Sequence, residues 1–279
     1  MKGNKIVVLS DNRNAGEALL SEHGLSAILY AGKLRILLDT GASGQFAENA
    51  KRLGTDLEAV DYVFISHGHA DHIGGLTSFL EMNSKAKVLL SPQALSQRFF
   101  SKRNGTKEIG IDFDLEKYRE RCVFIEKKTV LDGDICVFPC DVQSYPMPKA
   151  NASLFKEAGH GPEPDDFNHE LVFCCGGESA FVFTGCAHKG LLNILASVKA
   201  ITGQIPGALL GGFHLLDGKA GQTFETEKEI AQIGLSLIEE YPGTRFMTGH
   251  CTGDKAFRIL KNQLKHQIEL FYAGFIAQI

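Results

Sequence analysis

The sequence predicts an α+β fold in which one sheet packs on another and helices cover the outside. The prediction rests on two successive halves, each with short strands first and helices later. It also rests on strand-like runs that stop at Asp, Ser, Gly or His, and on the absence of a linker that would divide the chain. No short-period repeat is visible. The 279 residues therefore read as one domain over 1–279, and a hydrophobic content of 44% is enough to offset chain entropy.

The elements follow in chain order. Lys5–Leu9, Ser26–Tyr30 and Leu34–Leu38 are β-type runs, the last ending at Asp39-Thr40-Gly41. Gln45–Leu53 suits a helix, and Tyr62–Ser66 is a buried strand that stops at His67. The spacing of Leu76, Phe79 and Leu80 predicts a helix after Gly74-Gly75, and Lys87–Leu90 predicts a strand. Ser101–Lys117 is polar and loop-rich. Val130–Pro139 returns to strand character around Asp132-Gly133-Asp134. Ser144–Asn168 carries four prolines and reads as a long loop or lid.

Glu170–Cys174 and Ala180–Thr184 read as a hairpin through Gly176-Gly177. Leu191, Leu192, Leu195 and Val198 mark a helix face, and Gly207–Leu210 is a strand ending at Gly211-Gly212-Phe213-His214. Thr226-Glu227-Lys228-Glu229 has the form of a capping box, in which hydroxyl and carboxylate satisfy backbone donors at a helix start. Arg245–Thr248 is a strand reaching Gly249-His250, followed by a helix bearing Phe257, Leu260 and Leu264.

Charge and cysteine usage narrow the function classes. With 29 Lys+Arg against 33 Asp+Glu, the net charge of -4 argues against a general nucleic-acid or membrane-surface binder. The apolar run Ile6–Leu9 is too short for a signal-peptide core, and no window reaches the ~20 apolar residues of a membrane span. Seven cysteines, two of them adjacent, make a poor disulfide framework, so the expected compartment is the cytoplasm.

The strongest chemical signal is Ser66-His67-Gly68-His69-Ala70-Asp71-His72, directly after a strand. Imidazole suits zinc or iron and carboxylate is harder, so this mixed set points to divalent transition metals. His67 and His69 can face one ion while Asp71 and His72 face a neighbour.

This motif, preceded by Asp39-Thr40-Gly41, resembles the metallo-β-lactamase superfamily. Asp11-Asn12, Glu22-His23-Gly24-Leu25-Ser26, Thr184-Gly185-Cys186-Ala187-His188, Gly211-Gly212-Phe213-His214-Leu215 and His250-Cys251-Thr252-Gly253 extend the likeness. Together they resemble its dihydropteroate-synthase-like branch, which includes pterin ribofuranosyl-aminobenzene phosphate synthases. The resemblance implies a four-layer αββα sandwich with two divalent ions at one edge between the sheets, zinc first, iron or manganese as alternatives. It implies a third ligand for the first ion at His169, with Glu170 competing.

The resemblance further implies a final ligand at His250 and a bridging ligand at Cys186, where the superfamily usually has Asp. Cys186 is otherwise a small core thiol. His188 either replaces it as a ligand or contacts substrate, and His214 is expected at a substrate oxygen. Asp39 is expected to orient a ligand imidazole. Cys251 and the pair Cys174-Cys175 read as packing.

The expected activity is hydrolysis of an ester or phosphoester of a small molecule, with Asp71 holding one ion and steering the nucleophile. The alternative is a transferase that condenses a pterin diphosphate with an aminobenzene ribofuranosyl phosphate-type acceptor, with Asp11, Asn12, His188 and His214 on the substrate. An oligomer is compatible with either.

Overall fold

In the computed structural model, residues 4–176, 180–218 and 224–279 are described. The strands in chain order are β1 (Lys5–Ser10), β2 (Ser26–Ala31), β3 (Leu34–Leu38), β4 (Tyr62–Phe64), β5 (Lys87–Leu90), β6 (Phe99–Ser101), β7 (Lys107–Glu108), β8 (Cys122–Phe124) and β9 (Thr129–Leu131). They continue with β10 (Ile135–Pro139), β11 (Leu154–Ala158), β12 (Gly161–Pro164), β13 (Leu171–Cys175), β14 (Phe181–Phe183), β15 (Ala208–Leu210), β16 (Arg245–Thr248), β17 (Ile268–Leu270) and β18 (Ile276–Gln278). One seven-stranded sheet has the order β18-β1-β2-β3-β4-β5-β8, and a second has β17-β16-β15-β14-β13-β10-β9.

Side-chain alternation explains the layering. Leu171, Phe173 and Cys175 of β13 point into the core between the sheets, whereas Val172 and Cys174 point to the outer layer. Phe64 of β4 likewise faces inward against Phe173 and Phe183, at ring-centroid distances of 5.4 and 6.1 Å. Helices Gln45–Arg52 and Leu76–Met82 cover the first sheet through Phe46, Leu76 and Phe79. Helices Leu191–Thr202, Glu227–Glu240 and Asp254–Leu264 cover the second through Leu195, Leu237 and Leu260. The result is the expected αββα sandwich. Thr226 and Glu229 form both hydrogen bonds of the capping box.

Two details go beyond the sequence reading. The proline-rich segment is not structureless: β11 and β12 pair within it and join β6 and β7 in a four-stranded sheet ordered β12-β11-β6-β7. Pro162 and Pro164 lie on its edge strand, where a missing N–H costs no ladder bond. The last residues, unread as strands, close one edge of each large sheet: β17 pairs with β16 and β18 with β1. Gly177 of the expected hairpin turn lies outside the described residues. Among the described residues, no helix is long and apolar enough to cross a membrane.

The sheets also fix where chemistry can sit. Strands β3 and β4 are parallel, as are β14, β15 and β16, so their carboxyl ends share one edge of the sandwich. Open α/β sheets place ligands there. Asp39, the His67–His72 segment, Cys186, His214 and His250 all follow those ends.

Candidate metal centre

One buried carboxylate organises the first two imidazoles. Asp39, fully buried, accepts the Ser66 N–H at 2.7 Å, the Ser66 hydroxyl at 2.7 Å and His72 Nδ1 at 2.6 Å. Because the Ser66 proton is committed to Asp39, Ser66 Oγ must accept from His67 Nδ1, 2.9 Å away. Both rings then carry the proton on Nδ1 and present the lone pair on Nε2. Gly185 makes room for this relay: its φ is +61°, and a side-chain carbon there would collide with Ser66 Oγ.

Around that pair the donors converge. His67, His69 and His188 bring ring nitrogens within 4.8 Å of one another, and so do His67, His72 and the Cys186 sulfur. His72 Nε2 lies 3.1 Å from Cys186 Sγ and 3.1 Å from His250 Nε2, which in turn sits 3.3 Å from Asp71 Oδ2. Cys186 also groups with His188 and His214, so its sulfur is shared between neighbouring donor sets. The buried nitrogens His67 Nε2, His188 Nε2 and both of His214 find no hydrogen-bond partner among the described residues. Buried polar atoms are rarely left so, and a divalent cation is a fitting partner for convergent lone pairs. The donor set fits such an ion.

Electrostatics agree at His67 and His188, while at His250 the opposing effect of burial is outweighed by Asp71, which raises the ring to about 9. Burial, then the neighbouring imidazoles, holds His67 and His188 well below the usual histidine range, so both rings are neutral and able to ligate. Burial alone would raise Asp71, but His72, His250 and His23 hold its carboxyl well below the usual range. Burial also opposes ionisation of Asp165, yet His169 and His69 outweigh it and keep that group ionised. Four non-glycine residues here adopt left-handed backbone: Asp39, Ala187, His214 and His250 at φ +54°, +57°, +50° and +51°. Such strain gathers at functional sites.

Residues 22–129 match the model of the metallo-beta-lactamase superfamily. A metal-dependent hydrolase of the beta-lactamase superfamily, solved as a crystal structure, superposes with a TM-score of 0.81 at 28% identity, covering 99% of both chains. The chain has the metallo-β-lactamase fold. It is also 28% identical over 281 residues to an uncharacterised protein of Methanocaldococcus jannaschii, covering 98% of each. A second relative from that organism is a 7,8-dihydropterin-6-methyl-4-(beta-D-ribofuranosyl)-aminobenzene-5'-phosphate synthase, 26% identical over 92% of this chain and 90% of the relative.

Within the metallo-β-lactamase fold, several expected residues occupy unexpected places. His169, expected as third ligand of the first ion, accepts the Gly68 N–H at Nδ1 (3.0 Å) and faces Asp165 through Nε2 (3.1 Å). The nitrogen that joins His67 and His69 comes from His188 instead. Its Nδ1 is held by Asn151 at 3.1 Å, and its ring stacks on Phe167. Glu170, the competing ligand, is turned away: its carboxylate accepts the N–H groups of His188 and Lys189, both at 2.7 Å.

Asp11 and Asn12, expected on the substrate, brace His250. Asp11 accepts its N–H at 2.9 Å, and Asn12 pairs with its carbonyl and Nδ1. Neither lines the cavity of about 410 Å³ above the donors. That cavity is bounded by His69, Asp71, Cys186, His188 and His214 on the sandwich side, and by Arg103, Lys107 and Leu154 from the small sheet and its loop. Asp165, Asn151 and Arg103 went unread in the sequence: Asn151 meets His188 37 residues on, and Asp165, four residues before His169, carries no motif of its own.

Proposed function

We propose that the protein is a metal-dependent hydrolase acting on an ester or phosphoester of a small molecule. The observation that carries this reading is the convergence of unpartnered imidazole nitrogens with Asp71 and Cys186 beneath a cavity large enough for a small ligand. His67, His69 and His188 would hold one divalent ion, and Asp71, His72 and His250 the other, with Cys186 between them. A bound ion supplies positive charge that polarises a substrate oxygen and acidifies water.

The chain's own groups do the rest. Asp39 and Ser66 keep the ligand rings in the tautomer that offers Nε2. Asp11 and Asn12 hold His250, while Asn151 and Glu170 hold His188. His214, 5% exposed with both ring nitrogens unpartnered and its ring centroid 4.2 Å from that of His188, is placed to exchange a proton with a substrate oxygen. Arg103 and Lys107 give the cavity mouth positive charge suited to a phosphoryl group. Ser101, Lys107, Glu108 and Leu154 of the small sheet, with Arg103 of its loop, form the outer wall of the pocket. Seven free thiols support a reducing, cytoplasmic setting. Zinc is the favoured ion because the donors are nitrogen and sulfur as well as oxygen.

A transferase reading draws support from the likeness to the pterin ribofuranosyl-aminobenzene phosphate synthase, which spans 92% of this chain. Hydrolysis of a chromogenic phosphodiester, abolished in His69→Ala, tests the first reading. Inactivity there, together with binding of a pterin diphosphate, favours the second.

A further inference from the structure

Cys251 reads as packing in the sequence, but its sulfur sits among the donors of the metal centre, with the Cys186 carbonyl 3.7 Å away as a hydrogen-bond acceptor. Its Sγ accepts the backbone N–H of His214 at 3.3 Å, and it lines the same cavity as Cys186. The sulfur lies within 4.8 Å of both the Cys186 sulfur and a ring nitrogen of His250. Gly212 leaves the space it occupies: a side-chain carbon at that position would collide with Cys251 Sγ. Cys174 and Cys175, by contrast, sit within the hydrophobic clusters. Adjacent side chains normally diverge. The left-handed backbone at His250 (φ +51°) accompanies the convergence of both side chains on one donor set.

We propose that Cys251 is a second sulfur ligand, which with Cys186 and His250 gives the metal centre a two-thiolate face selective for thiophilic ions. This rests on the metal-centre reading above. Donor atoms around a four-coordinate zinc ion lie roughly 3–4 Å apart, given Zn–S near 2.3 Å and Zn–N near 2.0 Å, and the observed spacing admits that after a small adjustment. Ligation through the thiolate would release the thiol proton to solvent as the ion binds. Two thiolates favour zinc or cobalt over magnesium and manganese, which prefer oxygen.

The test is anaerobic titration of metal-free, full-length protein with cobalt(II) alone, read as the sulfur-to-cobalt charge-transfer band in the near ultraviolet. The expected result is a band that falls to about half in Cys251→Ser and vanishes in the Cys186→Ser/Cys251→Ser pair, since each thiolate contributes its own transition. A band unchanged in Cys251→Ser, or a wild-type cobalt complex with no sulfur band, overturns the proposal and leaves the metal centre standing. Wild-type protein that binds no cobalt overturns both. If Cys251→Ser does not fold, cadmium-113 resonance on the wild type counts the sulfur ligands directly. Two sulfurs are expected, and one or none rejects the assignment.

Discussion

Replacing Asp39 by Asn probes the link between a carboxylate outside the donor set and the donors themselves. Asp39 receives three donors, from Ser66 N–H, Ser66 Oγ–H and His72 Nδ1–H, and is fully buried. The left-handed backbone at this position tolerates Asn, so the change isolates the side chain. An amide offers only one acceptor atom. If its oxygen takes the position facing Ser66 N–H, its NH₂ meets His72 Nδ1, and that ring must move its proton to Nε2, where it points at Cys186 and His250. If the amide is reversed, the Ser66 N–H is left buried without an acceptor.

The second outcome costs about 1–3 kcal/mol in stability, and either outcome removes charge-assisted bonds worth about 1.5–3 kcal/mol each. Loss of a partner that orients a metal ligand lowers affinity by about 10–100-fold. Asp39→Asn is therefore expected to fold, with a lower urea midpoint and zinc affinity reduced at least about tenfold, measured by competition with a chromophoric chelator. Zinc affinity within about twofold of wild type, with an unchanged midpoint, would refute the tautomer argument.

Three further changes test other parts of the account. Burial raises the Glu170 carboxyl to about 8 against the bonds from Lys189 and His188, so its favourable contribution is complete below the ordinary carboxylate range and is lost as pH rises towards about 8. The stability of Glu170→Gln should therefore gain on wild type between pH 5 and pH 8 in urea melts, by up to about 1.4 kcal/mol per unit; parallel curves would contradict the burial assignment. Gly185→Ala should lose both stability and zinc affinity, because the methyl collides with Ser66 Oγ at a positive φ; wild-type values for both would remove the relay from the account. Phe64→Ala, at the centre of the inter-sheet core, should cost about 3–5 kcal/mol in a denaturant melt, and a cost under about 1 kcal/mol would mean the sheets do not meet there.

Local pattern made the architecture and half of the centre readable. Period-two alternation in the strands and helical spacing at Leu191–Val198 and Leu76–Leu80 report which face is buried, and those faces build the layers. The His67–His72 cluster is readable because its donors are contiguous. What escaped depends on backbone direction or on partners distant in sequence. Ala187 at φ +57° redirects the chain after β14, so strand alternation gives no guide to where His188 points. His169 follows the proline-rich segment at a plausible ligand position, but the Gly68 N–H that engages its Nδ1 lies 101 residues away, and Asp165 faces Nε2 only because the chain turns between them. Asp11 and Asn12 lie 239 and 238 residues from His250, and only the fold makes them its braces.

The measurement closest to the central claim is metal stoichiometry by elemental analysis after zinc loading and desalting, for wild type, His188→Ala and His169→Ala. Wild type is expected to retain two equivalents, and His188→Ala is expected to lose one, because His188 completes the donor set of His67 and His69. His169→Ala, which removes a ring engaged with Gly68 and Asp165, should retain both with weakened affinity. Wild-type protein without tightly held metal, or a His188→Ala protein that keeps both equivalents while His169→Ala loses one, would contradict the account.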